Sequence, residues 1–180
     1  MARNARDKPI STLGFLMMSF FFRIRDKFVS PRKELEKIPV KSGYHVLDYG
    51  CGPGSYTIAA AELVGDSGKV HAADIHPLAV KTVVKAASRR GLTNVEVVLT
   101  DCETGLESKS IDMVLCLDVF HGLSDHVSIL KEFYRVLKPE GVLILDYHHI
   151  TEEELLTKVN NMGLFKVKEK IDIKYSFTKI

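Results

Sequence analysis

The chain has no tryptophan, only three cysteines and only six prolines in 180 residues. It also lacks any apolar run of the ~20 residues a membrane-spanning helix needs. Each shortage removes a class of function. Cys51, Cys102 and Cys116 are odd in number and show no C-x-x-C spacing. Neither a disulfide framework nor a zinc site is therefore indicated, and a reducing cytoplasm is the expected setting. The net charge of +2 is too small to argue for a nucleic-acid partner. Neither an internal repeat nor a low-complexity stretch is visible, and the length suits one domain with at most a small appendage.

The charge that is present is unevenly placed. Residues 1–41 carry ten Lys/Arg against four Asp/Glu, on a body of mildly acidic balance. The start imitates a signal peptide, with basic residues before an apolar run over residues 13–22. Arg23 and Arg25 follow at once, however, and no small-x-small cleavage site appears, so neither export nor membrane spanning is expected. The stretch LGFLMMSFFFRIRDKF (13–28) is apolar on nearly every side of a helix, which excludes a free surface helix. The leading expectation is a lid packed over a site. The alternatives are a peripheral membrane contact through residues 13–28, with Arg23, Arg25 and Lys27 at the head groups, or a dimer contact. Monomer and homodimer both stay open.

From residue 42 onwards, strands and helices alternate. Strands are expected over 44–49, 69–75, 95–101, 111–118 and 141–147, with helices over 55–64, 76–91 and 124–137. Ser124 or Asp125 should cap the last of these, and Thr151 with Glu154 forms a capping box for another helix. The two segments ahead of the first strand, 13–29 and 32–38, read as helices ended by Pro31 and Pro39. The final stretch, FKVKEKIDIKYSFTKI, alternates apolar and polar residues and should form an antiparallel pair. Nearly continuous apolar strands joined by helices mean a parallel sheet covered on both faces.

The turn after the first strand carries the chemistry. In VLDYGCGPGSY (46–56), Gly50, Gly52 and Gly54 occupy alternate positions behind Asp48. A strand feeding a helix through glycines offers backbone N–H groups, the positive end of a helix dipole, and no Cβ to hold a ligand off. Asp74, at the end of the second strand, stands where an acid accepts hydrogen bonds from ribose hydroxyls. The plainer reading is that Asp74 caps the helix beginning near Pro77. The spacing G-x-G-x-G, with an acid before it, suits a cationic ammonium and would repel a pyrophosphate. A separate substrate domain after the sheet is not expected, which counts against a nicotinamide enzyme.

With these residues in place, the chain resembles the class I S-adenosylmethionine-dependent methyltransferases over residues 42–180. Within them it is similar to the group of small enzymes that includes ubiquinone/menaquinone C-methyltransferases. The motifs that carry the likeness are VLDYGCGPG, ADIHP with Asp74, LTDCETGL with Asp101, IDMVLCLDVFHGL with Asp118 and His121, and LKEFYRVLKPEGVLIL. The resemblance implies a Rossmann-like, doubly wound α/β fold. Its sheet would have seven strands, mostly parallel with an antiparallel last strand, behind a helical lid in residues 1–41. It further implies S-adenosylmethionine as cofactor and S-adenosylhomocysteine as product. Asp48, Tyr49, Gly50, Cys51, Gly52 and Gly54 would surround the methionine portion, and Asp74 would hold the ribose with Ile75 against the adenine. Asp101 and Cys102 would meet the adenine amino group, and Asp118 would lie close to the methionine moiety.

Methyl transfer from a sulfonium is an in-line displacement that needs alignment and exclusion of water, with a base only where the acceptor must lose a proton. His121 is the first candidate for that base, with Asp118 and His148 as further catalytic candidates; Tyr147 and His149 lie in the same region. Asp118, His121, Asp146 and His148 show no metal-ligand spacing, so no metal is expected. Cysteine-based metalloid chemistry is set aside, because Cys51 and Cys102 have duller places beside the cofactor. The expected function is methyl transfer to a small, apolar or lipid-like acceptor. A protein or RNA methyltransferase, or a non-catalytic cofactor-binding partner protein, are the alternatives.

Overall fold

The computed structural model describes residues 7–180; the sequence reading of the first six residues of the basic segment falls outside the described residues. Seven strands form one sheet: β1 (His45–Tyr49), β2 (Lys69–Asp74), β3 (Val95–Leu99), β4 (Ile111–Cys116), β5 (Leu137–Asp146), β6 (Phe165–Ile171) and β7 (Lys174–Lys179). The helices are α1 (Thr12–Phe28), α2 (Pro31–Glu36), α3 (Ser55–Val64), α4 (Pro77–Arg89), α5 (His126–Val136) and α6 (Glu152–Asn160). Val46, Leu47, Val114, Leu115, Leu143 and Ile144 are fully buried, as continuous apolar strands covered on both faces must be. The helices supply the covers. α5, for example, buries Ile129, Leu130, Phe133 and Val136 at helical spacing and leaves its other face to solvent.

The strand order is β3-β2-β1-β4-β5-β7-β6. β1 pairs in parallel with both β2 and β4, and β5 in parallel with β4, while β7 runs antiparallel between β5 and β6. The chain therefore walks outward through β2 and β3, then returns to lay β4 beside β1. That reversal opens a crevice at the carboxyl ends of β1 and β4, where ligands bind in sheets of this kind. One of the two edge strands, β6, is exposed along most of its length and studded with Lys166, Lys168, Glu169 and Lys170, which discourages pairing with another sheet.

Local details refine the sequence reading. β5 begins at Leu137, not at residue 141, because α5 passes straight into it. Its register against β4 shifts between Ile111 and Met113, opposite Gly141, where a Cβ would come within 2.8 Å of Leu137. Asp125 rather than Ser124 caps α5, accepting from the Ser128 amide at 3.0 Å. Thr151 caps α6 as expected, accepting from the Glu154 amide at 3.1 Å, but the Glu154 carboxylate pairs with Lys158 at 2.8 Å. Half of the capping box is thus replaced by an i,i+4 ion pair.

Candidate functional site

The glycine loop forms the floor of a cavity of about 330 Å³ at the β1/β4 reversal. Gly50, Gly52 and Gly54 all take positive φ (+76°, +50° and +92°), a region costly to residues with a Cβ. At Gly50 a Cβ would lie 2.6 Å from Val119, and at Gly54 2.9 Å from Val83. At Gly52 it would point into the space below Met18 and Phe22, both nearly 4 Å away, and fill part of the cradle. One expectation needs correction here. The loop amides are largely committed within the protein: Gly50 and Cys51 donate to the Ala73 carbonyl, Gly54 to the Cys51 carbonyl, and Gly52 to Asp74. The glycines provide room and a turn more than a row of spare N–H groups.

Asp48, one residue before the end of β1, is a buried carboxylate. It accepts from the Thr57 hydroxyl at 2.5 Å and so ties β1 to the first turn of α3. Burial pushes its pKa up to about 6, although the Thr57 hydrogen bond works against the rise. Asp74 has a double hold, Oδ2 accepting from Gly52 N at 2.8 Å and Oδ1 from His76 N at 2.7 Å. It does not cap α4; His76 does, its Nδ1 accepting from Leu78 N at 3.1 Å. Each Asp74 oxygen keeps a second lone pair for a hydroxyl. Asp74 and Ile75 line both the main cavity and a smaller one of about 70 Å³, shared with Tyr49, Thr100 and Asp101. The Tyr49 hydroxyl donates to the Asp101 carbonyl at 3.1 Å. Cys102 falls outside both linings, its amide held by Thr100 Oγ1 at 3.1 Å. A diol acceptor, a side-chain-free loop and a small side cavity together fit an adenosyl group joined to an amino acid.

The other wall comes from the ends of β4 and β5. Asp118 sits in the left-handed region at φ +59°, its amide donating to both carboxylate oxygens of Asp146 at 3.0–3.1 Å. One Asp118 oxygen meets the Arg25 guanidinium at 2.5 Å, and the other accepts from Nδ1–H of His148 at 2.9 Å. Burial alone would raise the Asp118 pKa, but His148 and Arg25 outweigh it and hold the group below its ordinary value. Asp146, buried and next to that charge, is pushed up to about 6. His121 stands in a 3-10 turn (Phe120–Gly122) and lines the main cavity. Burial, then the neighbouring His149, lowers its pKa. Its ring is 4.4 Å from that of His149, which stacks on His148 at 4.6 Å. The ligand atoms of Asp118, His148 and His149 lie within 4.8 Å of one another, though both Asp118 oxygens already carry hydrogen bonds.

The roof is α1. Phe15 is buried with its ring stacked on His76 at 4.5 Å, and Met18, Phe22 and Arg25 continue the same side of the helix over the loop. Asp26 accepts from the Ser55 hydroxyl at 2.5 Å, and Asp7 pairs with Ser124. Arg25 is thus placed inward, not at a head-group surface: it lies over the Phe22 ring at 4.4 Å and reaches Asp118 from 93 residues away. Arg25, Ser55 and Tyr56 are lining residues that the sequence reading did not place in the site. The spacing 15, 18, 22, 25 is a helical stripe, but which stripe of α1 faces the site is set by the seating of Phe15 on His76.

Residues 40–174 match the methyltransferase-domain family. Aklanonic acid methyltransferase of a Streptomyces species is 35% identical over 139 residues, which is 77% of this chain and 60% of the relative. A demethylmenaquinone methyltransferase of Geobacillus stearothermophilus is 32% identical over 111 residues, 61% of this chain and 47% of the relative. The chain thus spans about half the length of these curated relatives. Among solved structures, an S-adenosylmethionine-dependent methyltransferase from Aquifex aeolicus superposes with a TM-score of 0.73 at 26% identity, covering 86% of this chain and 91% of that one. A Methanococcus maripaludis structure reaches 0.80 at 14% identity over 99% and 97%, a likeness of fold alone. With a β1 glycine loop, a β2 carboxylate and this strand order, the chain belongs to the methyltransferase-domain family, as a class I S-adenosylmethionine-dependent member.

Proposed function

We propose that the protein transfers a methyl group from S-adenosylmethionine to a small apolar acceptor held beneath α1. The observation that carries this reading is the cavity itself, with the glycine loop below and Phe15, Met18 and Phe22 above. An apolar roof with a few convergent polar groups suits a small greasy ligand. Relatives named for aklanonic acid and demethylmenaquinone support a small acceptor.

Bound S-adenosylmethionine supplies an already activated sulfonium methyl. Asp74 would hold the ribose hydroxyls and Ile75 the adenine, with Tyr49 and Asp101 at the side cavity and Gly50, Gly52 and Gly54 under the methionine portion. Asp48 keeps the loop in shape from below. The α1 roof excludes water from the transfer. His121, kept neutral near pH 7 by its lowered pKa, takes the acceptor's proton where one must leave. Asp118, fixed by Arg25, His148 and the carboxylate of Asp146, positions a fixed negative charge beside it.

The test is incubation of the purified protein with methyl-labelled cofactor and a native cell extract. Label in the small-molecule or lipid fraction is expected. Label confined to protein or RNA overturns the acceptor class, and tight cofactor binding with no label anywhere points to a non-catalytic partner protein.

A further inference from the structure

We infer that the outer face of α1 docks on an anionic lipid membrane surface. The helix is apolar on two opposite sides. Phe15, Met18 and Phe22 face the body, while Leu13, Leu16, Met17, Phe20, Phe21, Ile24 and Phe28 face outward and are all exposed. The exposure is large: 68% for Leu13, 60% for Phe20 and Phe21, and 84% for Phe28. On a helical projection these outward side chains span an arc of about 140°. An apolar patch of that extent, made of long aliphatic and phenylalanine side chains, marks an interaction surface.

The charges say what kind of surface. Arg23 projects just beyond one edge of the apolar arc and Lys27 just inside it, and no Asp or Glu falls on the outward side among the described residues of α1. Its acid, Asp26, is turned inward to Ser55, and Arg25 is turned inward to Asp118. An apolar stripe flanked by cations is the pattern of a helix lying in the plane of a membrane interface, phenylalanines among the acyl chains and cations at the phosphates. A second copy of the chain would bring a face with two cations and no acid to pair with them, and so lacks charge complementarity. No helix is long and apolar enough among the described residues to cross a membrane, so the contact is peripheral.

Docking stands independently of the methyl-transfer reading. Only the consequence for the acceptor rests on that reading: the helix that would touch the bilayer is also the roof of the cavity, so an apolar acceptor would have a short path from lipid to site.

The experiment is co-sedimentation of the full chain with phosphatidylcholine vesicles, with and without phosphatidylglycerol, in the absence of cofactor and acceptor. Binding to the anionic vesicles is expected. Phe20→Ser with Phe21→Ser should weaken it by more than about tenfold. Arg23→Gln and Lys27→Gln should each weaken it by about fivefold, and less at high salt. These side chains lie outside the cavity lining, so unchanged melting and unchanged cofactor titration will show that the variants are folded. The inference is overturned by no binding to anionic vesicles, by equal binding to phosphatidylcholine alone, or by indifference to the phenylalanine pair. A dimer seen by light scattering that the same pair abolishes, without vesicle binding, overturns it in favour of self-association. Because the assay uses no methyl donor, its failure leaves the methyl-transfer proposal standing.

Discussion

On the β1–β2 side of the cavity, polar groups are tied to partners close in sequence or on the neighbouring strand. Asp48 holds Thr57, nine residues on, and Asp74 holds Gly52 and His76. On the β4–β5 side, Asp118 is held by Arg25 from the roof helix, by His148 and by the carboxylate of Asp146. The first wall is fixed by the sheet and its turns before any ligand arrives. The second is closed by side chains contributed from three separate parts of the chain, one of them the roof helix. On the proposed reading the rigid wall serves the cofactor and the assembled wall the acceptor, a division suited to a fold that hosts many chemistries.

The sharpest way to break this contrast is Asp74→Ala. Removing a carboxylate that anchors the loop and would accept two hydroxyls should weaken cofactor binding about 100-fold or more, measured by calorimetric titration. Affinity equal to wild type would show that the β2 acid does not hold the cofactor.

The second test probes the assembled wall through pH. Asp146 has a folded pKa raised to about 6, so between about pH 4 and pH 6 the native state binds more protons than the unfolded state. Stability from this group is therefore fully present below pH 4 and lost as pH rises through 6, by up to about 3 kcal/mol. Asp146→Asn, which can still accept from the Asp118 amide, should remove that slope in urea titrations at pH 4 to 7. An unchanged slope would mean that Asp146 ionises freely.

Smaller still is the effect of Arg25→Ala. Opening the latch should lower kcat/KM about tenfold through loss of alignment and water exclusion, while cofactor affinity stays within about threefold. Because Arg25 is one of the groups holding Asp118 down, any limb of the pH–rate profile that reports Asp118 should move upward. An equal loss in cofactor binding would merge the two walls into one.

The contrast also explains what could be read from sequence. The sheet was legible because buried parallel strands are nearly uninterrupted apolar runs, and the cofactor wall because its glycines and Asp74 follow a fixed spacing. The antiparallel pair at the end followed from alternation in residues 165–180. The acceptor wall was less legible. His121 was named first and His148 after it, and it is His121 that lines the cavity. Arg25 stood at head groups only under the membrane-contact alternative, and because α1 is apolar nearly all round its sequence leaves open which side faces the body. What phases it is the seating of Phe15 on His76, a contact between residues 61 apart that no local pattern encodes. Likewise the loop amides were read as spare, since their partner, the Ala73 carbonyl, belongs to the next strand.

The smallest expected effect separates two adjacent residues. Asp101 and Cys102 form one motif in the sequence and were both placed at the adenine. In the structure Asp101 lines the side cavity with its carbonyl accepting from Tyr49, whereas Cys102 turns toward the apolar cluster around Phe133. A turn lets neighbours point in different directions, and only one of these two reaches the cavity. Cys102→Ala should therefore change cofactor affinity by less than about threefold, and destabilise the fold by only about 1 kcal/mol as a partly buried side chain is truncated. If the variant instead loses cofactor as Asp74→Ala does, the cofactor wall reaches beyond the two cavities, and the boundary between the rigid and the assembled side must be redrawn.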